Sequence, residues 1–374
     1  MLRLKLNNVI LLVAGVLMIC NCAREERQPA DEAVHYMLAP YDSIGVAYGD
    51  TTQMFGDISD AAWIDHDRIA IVDSSKNKIY IFSDSCEYIT SIDINGQGPG
   101  KLTRAIGIEA DSCGNIYISG IYDRKIVIYN SQYEFIREIV FTDPRRIAPY
   151  LIAANTDTTV LVRSYIITDE SDSAGTEIAS FSNQGVPDVV YRQRCVPADH
   201  GIGIMRETAI AFTSGTNGRV YLSNMDKEYR IDCYSQDGDS IFSFSNPYYQ
   251  PVLKAESIIQ SEINTLRQQY VYYRGTDAGF SHNPDPYYIS VASLASDGQG
   301  RVWARGEINN RSADVFSSQG EYLFSVSLDI SQWQQTDRWI ISVSDYGYLA
   351  IPINPEQYPV VYLLNEPVEQ NTKE

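Results

Sequence analysis

The stretch from Asn95 to Phe141 constrains this chain more than any other, because it sets four strand signals into one short unit. A glycine-rich turn, Gly96-Gln97-Gly98-Pro99-Gly100, leads into the small, apolar run Ala105–Ala110. A tight turn at residues 111–115 follows, then alternating, β-branched segments at Ile116–Ser119, Lys125–Tyr129 and Phe135–Phe141. Apolar residues at period two between turn residues mark half-buried antiparallel strands. Four such strands in one compact repeat describe a blade of a β-propeller.

The rest of the chain repeats this unit. An offset of 47 residues lays Ile69 on Ile116, Ile79–Phe82 on Ile126–Tyr129, and Tyr88 on Phe135. That gives a first blade with strands at 61–64, 68–72, 78–82 and 88–94. The third blade, residues 147–193, is the most degenerate. Its acidic loop Asp169–Ser173 lacks the spacing and glycine of a calcium loop and reads as a solvated hairpin tip. The motif Gly114-Asn115-Ile116-Tyr117 returns as Gly218-Arg219-Val220-Tyr221 and as Gly300-Arg301-Val302-Trp303, which places blades four (207–245) and five (288–328). The sixth blade offers only Trp339–Val343, Tyr348–Ile353 and Val360–Asn365, one strand short. An open ring leaves two unpaired edges. The extended stretch Val34–Tyr48 is therefore expected to supply the missing outer strand of blade six. The sequence predicts an all-β, six-bladed propeller over residues 34–366, closed by an N-terminal strand, with a C-terminal tail at 367–374.

One segment breaks the pattern. Between blades four and five, residues 246–286 form an insertion. Pro251 suits the first turn of a helix. Ala255, Ile258, Ile259, Ile263, Leu266 and Tyr270 follow at steps of three and four, predicting an amphipathic helix over 251–272. Tyrosines flank it at both ends. The expectation is a helix lying across the ligand face with its Ile and Leu stripe turned inward; a plug over the core is an equal reading.

Residues 1–22 read as a processing segment. Arg3 and Lys5 form a positive start, and Val9–Ile19 is an apolar run too short to span a bilayer. Cys20 and Cys22 follow; Asn21 is more compact than Ile19, which favours Cys22 as the acylated residue. Residues 23–33 are polar and patternless, a tether. Of six cysteines, Cys86, Cys113, Cys195 and Cys233 remain, and their spacing defines no disulfide pairing; Cys233, inside a strand pattern, reads as a buried thiol. With 48 acidic against 29 basic residues, the net charge of −19 excludes nucleic-acid binding by phosphate neutralisation.

At Gly96–Gly100, Gly114–Ile118 and Lys125–Tyr129 the chain resembles the six-bladed propeller lipoproteins of Bacteroidota, themselves similar to NHL-repeat and TolB-like propellers. Ala23-Arg24-Glu25-Glu26, just behind Cys22, resembles the surface-export signal of that phylum. The resemblance implies the fold, a lipid anchor and an outer-membrane location, facing the cell surface or else the periplasm. It carries no settled biochemical function. Enzymes on related propellers are metal-assisted lactonases and lyases with carboxylate, Asn or His ligands at the axis.

Little in the sequence spells out chemistry. His35, His66, His200 and His282 are not paired at metal-ligand spacing, and neither GxSxG, HExxH nor a P-loop occurs. Gly96–Gly100 is no phosphate loop, since Pro99 removes a donor and no helix follows. No cofactor or metal is called for. A site is expected at the channel mouth, where inner strands begin. Twelve residues before Ile116 lies Arg104; the same position falls on Asp57, Ala148, Thr208, Ser290 and Asp337 in the other blades. Tyr150, Arg206, Tyr288 and Arg338 are beside it. The candidate ligand site is therefore Asp57, Arg104, Tyr150, Arg206, Tyr288, Asp337 and Arg338. The function expected is a surface-tethered module binding a glycan, a peptide or an outer-membrane protein; the alternative is a hydrolase or lyase for a sugar or peptide, with a metal or a carboxylate pair at the axis.

Overall fold

A computed structural model describes residues 34–370, apart from 121, 157–158, 169–171, 183–184, 198–203, 216–217, 281, 309–310 and 330–337. Cys22, His200, Asp337 and the tip of the acidic loop lie outside the described residues. Two short strands come first, β1 (His35–Leu38) and β2 (Pro40–Ile44). Blade one is β3 (Ile58–Asp65), β4 (Arg68–Asp73), β5 (Lys78–Ser83) and β6 (Tyr88–Asp93); blade two is β7 (Ala105–Ala110), β8 (Ile116–Gly120), β9 (Lys125–Tyr129) and β10 (Phe135–Val140). Blade three has the long strands β11 (Arg146–Thr156), β12 (Thr159–Thr168), β13 (Ser173–Phe181) and β14 (Pro187–Pro197). A one-turn helix, α1 (Ile204–Glu207), precedes blade four: β15 (Ile210–Ser214), β16 (Val220–Asn224), β17 (Ile231–Tyr234) and β18 (Ser240–Phe244). The insertion helix α2 (Glu256–Arg274) follows. Blade five is β19 (Ser293–Ser296), β20 (Val302–Arg305), β21 (Ser312–Phe316) and β22 (Tyr322–Leu328); blade six holds β23 (Trp339–Val343), β24 (Tyr348–Pro352) and β25 (Val361–Leu364), and β26 (Val368–Glu369) is the last strand among the described residues.

The ring closes as a six-bladed propeller, but the closing segment divides. β2 pairs antiparallel with β25, Ile44 opposite Val361 and Pro40 opposite Leu364, and completes blade six. β1 lies instead on the outside of blade five, parallel to β22, with β26 beyond it. The division falls at Pro40. Proline has no N–H to give to a ladder and is tolerated at the first position of a strand. The chain thus crosses from one blade to the next at that residue, and its two halves tie blades five and six together.

Apolar clusters fill the gaps between blades. Ile64, Val72 and Ile81 meet Ile108, Ile118 and Val127 between blades one and two. Ile71 and Phe82 meet Leu349 and Leu363 where blade one meets blade six. Each fully buried side chain of this size contributes roughly 1.5–3 kcal/mol. The recurrent Gly-X-Ile-Tyr motif is explained by the turn before it. Asp111 accepts the Cys113 and Asn115 amides and the Tyr117 hydroxyl at 3.1 Å. Asp297 accepts the Gln299 and Arg301 amides and the Trp303 indole at 2.8 Å. Gly114 and Gly300 close these turns at φ 75° and 73°, a region that glycine enters without strain. Arginines at the start of the second strand also join blades: Arg68 and Arg219 donate to the carbonyls of Ser131 and Ser318 in the next blade.

The insertion departs from expectation at its start. Residues 251–254 are not helical; Leu253 bridges Tyr287, the Lys254 amide donates to Pro286, and the Tyr288 amide donates to Val252. These bonds close the neck of the insertion and delay the helix to Glu256. Gly275, left-handed at φ 73°, ends it. Ile259, Ile263, Leu266 and Tyr270 form a half-buried stripe, whereas Ile258 on the flank is exposed. All four cysteines among the described residues are free thiols, and Cys233 is fully buried.

Candidate ligand-binding cavity

The described members of the expected ring of site residues make separate polar contacts near the starts of the inner strands. Arg104 lies 3.7 Å from Asp57, both about half exposed, a pair worth little in solvent. Asp57 also accepts the Ser74 hydroxyl. Arg206 in α1 lies 2.7 Å from Glu262 of α2 and 3.3 Å from Glu307 of blade five. Tyr288 stacks at 5.9 Å beneath the Lys254 ammonium. Arg338 is exposed and its carbonyl accepts the Ile353 amide. Tyr150 sits within β11. Thr208 and Ser290 are buried and bonded to neighbouring linkers, Thr208 to the Ile204 carbonyl and Ser290 to those of Asp226 and Glu228. The structure thus brings Asp57 to Arg104, and joins Arg206 to the insertion.

A cavity of about 490 Å³ runs along the propeller axis, lined by residues of all six inner strands. That is within the ordinary range for a small-molecule site. Asp57, Arg104, Arg206, Tyr288 and Arg338 do not line it. It extends instead to the turns that follow the inner strands, at Ser112, Gly215 and residues 344–346. Those turns lie on the face opposite the one from which the insertion leaves.

Two carboxyl groups point to the chemistry of this cavity. Asp60 on β3 accepts the Ile108 amide of the neighbouring blade at 3.0 Å and the Ala61 amide at 2.9 Å. Burial pushes its pKa up to about 7 despite these bonds. Glu109 on β7 is pushed up to about 8, first by burial and then by the charge of Asp60. Desolvation and a like charge both disfavour the ionised form. Across the cavity stand two guanidinium groups. Arg163 on β12 donates to the Ile210 carbonyl at 3.0 Å. Arg305 on β20 donates to the Ser293 hydroxyl at 3.0 Å, and burial lowers its pKa to about 10. Among the described residues there is no group of three or more His, Cys, Asp or Glu side chains placed to hold a metal ion.

Sequence reasoning passed over Asp60 and Glu109 because the repeat offset aligns Asp60 with Gly107 and Glu109 with Ala62. The one available signal is the carboxyl itself. Glu109 is the sole charged residue of β7, and Asp60 stands next to the small, apolar turn of β3 into the core.

Six sheets, each built on four antiparallel strands, around a common cavity define a six-bladed β-propeller. Residues 50–150 match the DUF5128 family, described as a 6-bladed beta-propeller. Among solved structures the chain is similar to a DUF4221 family member from Bacteroides vulgatus, at 13% identity and a TM-score of 0.48, over 90% of this chain and 98% of that one. A Bacteroides fragilis protein described as exported shares 12% identity at a TM-score of 0.49, over 90% and 96% of the two chains. Virginiamycin B lyase from Staphylococcus aureus shares 12% identity at a TM-score of 0.42, over 89% and 88%. Likeness at this distance concerns the fold alone. No curated protein matches the sequence. Among the described residues no helix is long and apolar enough to cross a membrane.

Proposed function

We propose that this protein is a lipid-anchored envelope module whose propeller binds a compact polar ligand, a glycan or peptide fragment, in its axial cavity. The anchor reading rests on the apolar run before Cys22 and the polar tether behind it. The observation that carries the binding reading is the pair Asp60 and Glu109 within the cavity. Carboxyl groups held out of bulk water without a paired cation cost free energy. Strongly perturbed groups in a cleft mark functional sites more often than chance. A structural duty accounts for Asp60, which ties two blades through the Ile108 amide, whereas Glu109 accepts from the Ala110 amide of its own strand.

The same pair favours a second reading, a hydrolase or lyase acting on a sugar or peptide. One protonated and one ionised carboxyl is the arrangement general acid–base chemistry uses. Both readings face one experiment: the full chain is applied to glycan and peptide arrays, beside an Asp60→Asn/Glu109→Gln variant. Ligands retained by the native protein and lost by the variant are expected. Arrays without a hit, or hits the variant keeps, would remove the axial site. Conversion of a retained ligand to product selects the enzyme.

A further inference from the structure

The charges around the cavity are sorted, and the sorting selects a ligand. The acidic groups occupy consecutive blades: Asp345 on blade six, Asp60 on blade one, Glu109 on blade two. Both guanidinium groups come from the other half of the ring, Arg163 on blade three and Arg305 on blade five. Asp111 also borders the cavity, but the bonds to its own turn use both its oxygens. The cavity is therefore a dipole, acidic on one side and basic on the other.

We infer that the ligand is a small zwitterion, a free amino acid or short unblocked peptide, whose ammonium group meets Asp60 and Glu109 and whose carboxylate faces Arg163 and Arg305. The inference rests on the axial-site reading and deepens it. A neutral sugar would offer hydroxyl groups to both walls but no counter-charge to either. A simple cation would suit the acidic wall and be repelled by the opposite one. A zwitterion neutralises both at once, and hydrogen bonds to charged partners are the stronger kind. Burial, which favours the protonated form of both Asp60 and Glu109, and the charge of Asp60, which adds to it at Glu109, are offset when an ammonium group arrives. The volume of about 490 Å³ accommodates a di- or tripeptide and excludes a folded partner.

The test is calorimetric titration of the full chain with di-alanine, N-acetyl-di-alanine, di-alanine amide and, as a neutral probe, maltotriose. Di-alanine is expected to bind, and blocking either end is expected to weaken binding by about tenfold or more, the effect of losing one charged hydrogen bond. Asp60→Asn/Glu109→Gln should weaken di-alanine similarly, while narrowing the gap between di-alanine and its N-acetyl form. The blocked peptides test the native protein, so the outcome does not depend on the variant folding. Equal binding of blocked and free peptides overturns the zwitterion. So does maltotriose binding where di-alanine does not, and in that case the axial site itself stands. If no probe binds and the arrays are also blank, both fall.

Discussion

Glu262 of the insertion helix lies 2.7 Å from the guanidinium of Arg206, and the ammonium of Lys254 lies 3.1 Å from the same carboxylate. Lys254 is buried, its side chain 1% exposed, so the helix is pinned by an ionic knot more than by its half-buried apolar stripe. Removing one partner of a buried charge pair is the costly change. Glu262→Ala should release the insertion. Hydrogen exchange over residues 256–274 should accelerate by about tenfold or more, as expected from losing 1.4 kcal/mol or more of local stability, with blades one and two unchanged. Ile259→Asp should have the smaller effect. Unaltered exchange in Glu262→Ala would show that the stripe, not the knot, holds the helix.

Ring closure makes a graded prediction. A fragment starting at residue 40 loses β1, an added strand on blade five, with the buried Leu38 and the pairing of β26. A fragment starting at residue 51 also loses β2 and the buried Ile44. Each backbone bond lost costs roughly 0.5–1.5 kcal/mol net, and the Ile44 side chain roughly 1.5–3 more. Thermal melting should therefore fall in two steps, the second with the opening of the ring. A fragment from residue 51 that melts with the full chain would show that the ring does not close through β2.

The axial carboxyls set a pH dependence. Their folded pKa values, about 7 for Asp60 and about 8 for Glu109, stand above the ordinary carboxylate range. The folded state therefore holds protons that the unfolded chain has released. Stability should fall as pH rises from about 4 to about 8, and then level off. Asp60→Asn and Glu109→Gln, neutral at every pH, should remove much of that slope. Each is expected to stabilise the protein by about 1–3 kcal/mol at alkaline pH, discounting for water in the cavity, and to change little near pH 4. Urea denaturation at both ends of this range is the measurement; parallel profiles for native and variant proteins would contradict it. Asp143, whose pKa the guanidinium groups of Arg145 and Arg146 lower to about 2, acts in the opposite sense and only in stronger acid: its contribution is present above the carboxylate range and lost as pH falls through about 2.

Much of this fold was legible because a blade is a local unit. The limits of Ala105–Ala110 and Lys125–Tyr129 follow from alternation and turns alone, and the missing strand of blade six was legible as an imbalance. What alternation does not reveal is pairing at a distance. Nothing in Val34–Tyr48 says that residues 35–38 lie on one blade and 40–44 on the next; only Pro40 hints at a break. Pro251 suggested a helix start, but the neck bonds of Leu253 and Lys254 to residues 286–287 outcompete helix formation there. The cavity was the least legible part. Asp60, Glu109, Arg163 and Arg305 stand on four blades and meet only after closure, and they occupy no common position in the repeat.

The anchor is tested apart from the propeller. Cys22→Ala should abolish palmitate labelling and release the protein from membranes, whereas Cys20→Ala should leave both unchanged. A single acyl chain binds membranes only marginally, so stable anchoring implies several chains on one residue. Labelling that persists in Cys22→Ala would move the anchor elsewhere.

Blade three, the most degenerate in sequence, carries a buried ion pair that the other blades lack among the described residues. Arg146 at the start of β11 grips Glu177 of β13 with two bonds, 2.6 and 2.9 Å long, and Glu177 is fully buried. Gln193 also donates to Glu177, and Asp143 holds the far side of Arg146. Such a pair repays its own desolvation only when complete. Glu177→Ala should therefore cost about 3–5 kcal/mol, because it strands the Arg146 guanidinium in a buried site. Replacing both partners together, Arg146→Met with Glu177→Leu, should cost less than the single change, since no charge is left unpaired and the volume is nearly kept. Urea denaturation of the three proteins decides it. A double variant at least as unstable as Glu177→Ala would mean that the pair holds blade three by more than mutual neutralisation.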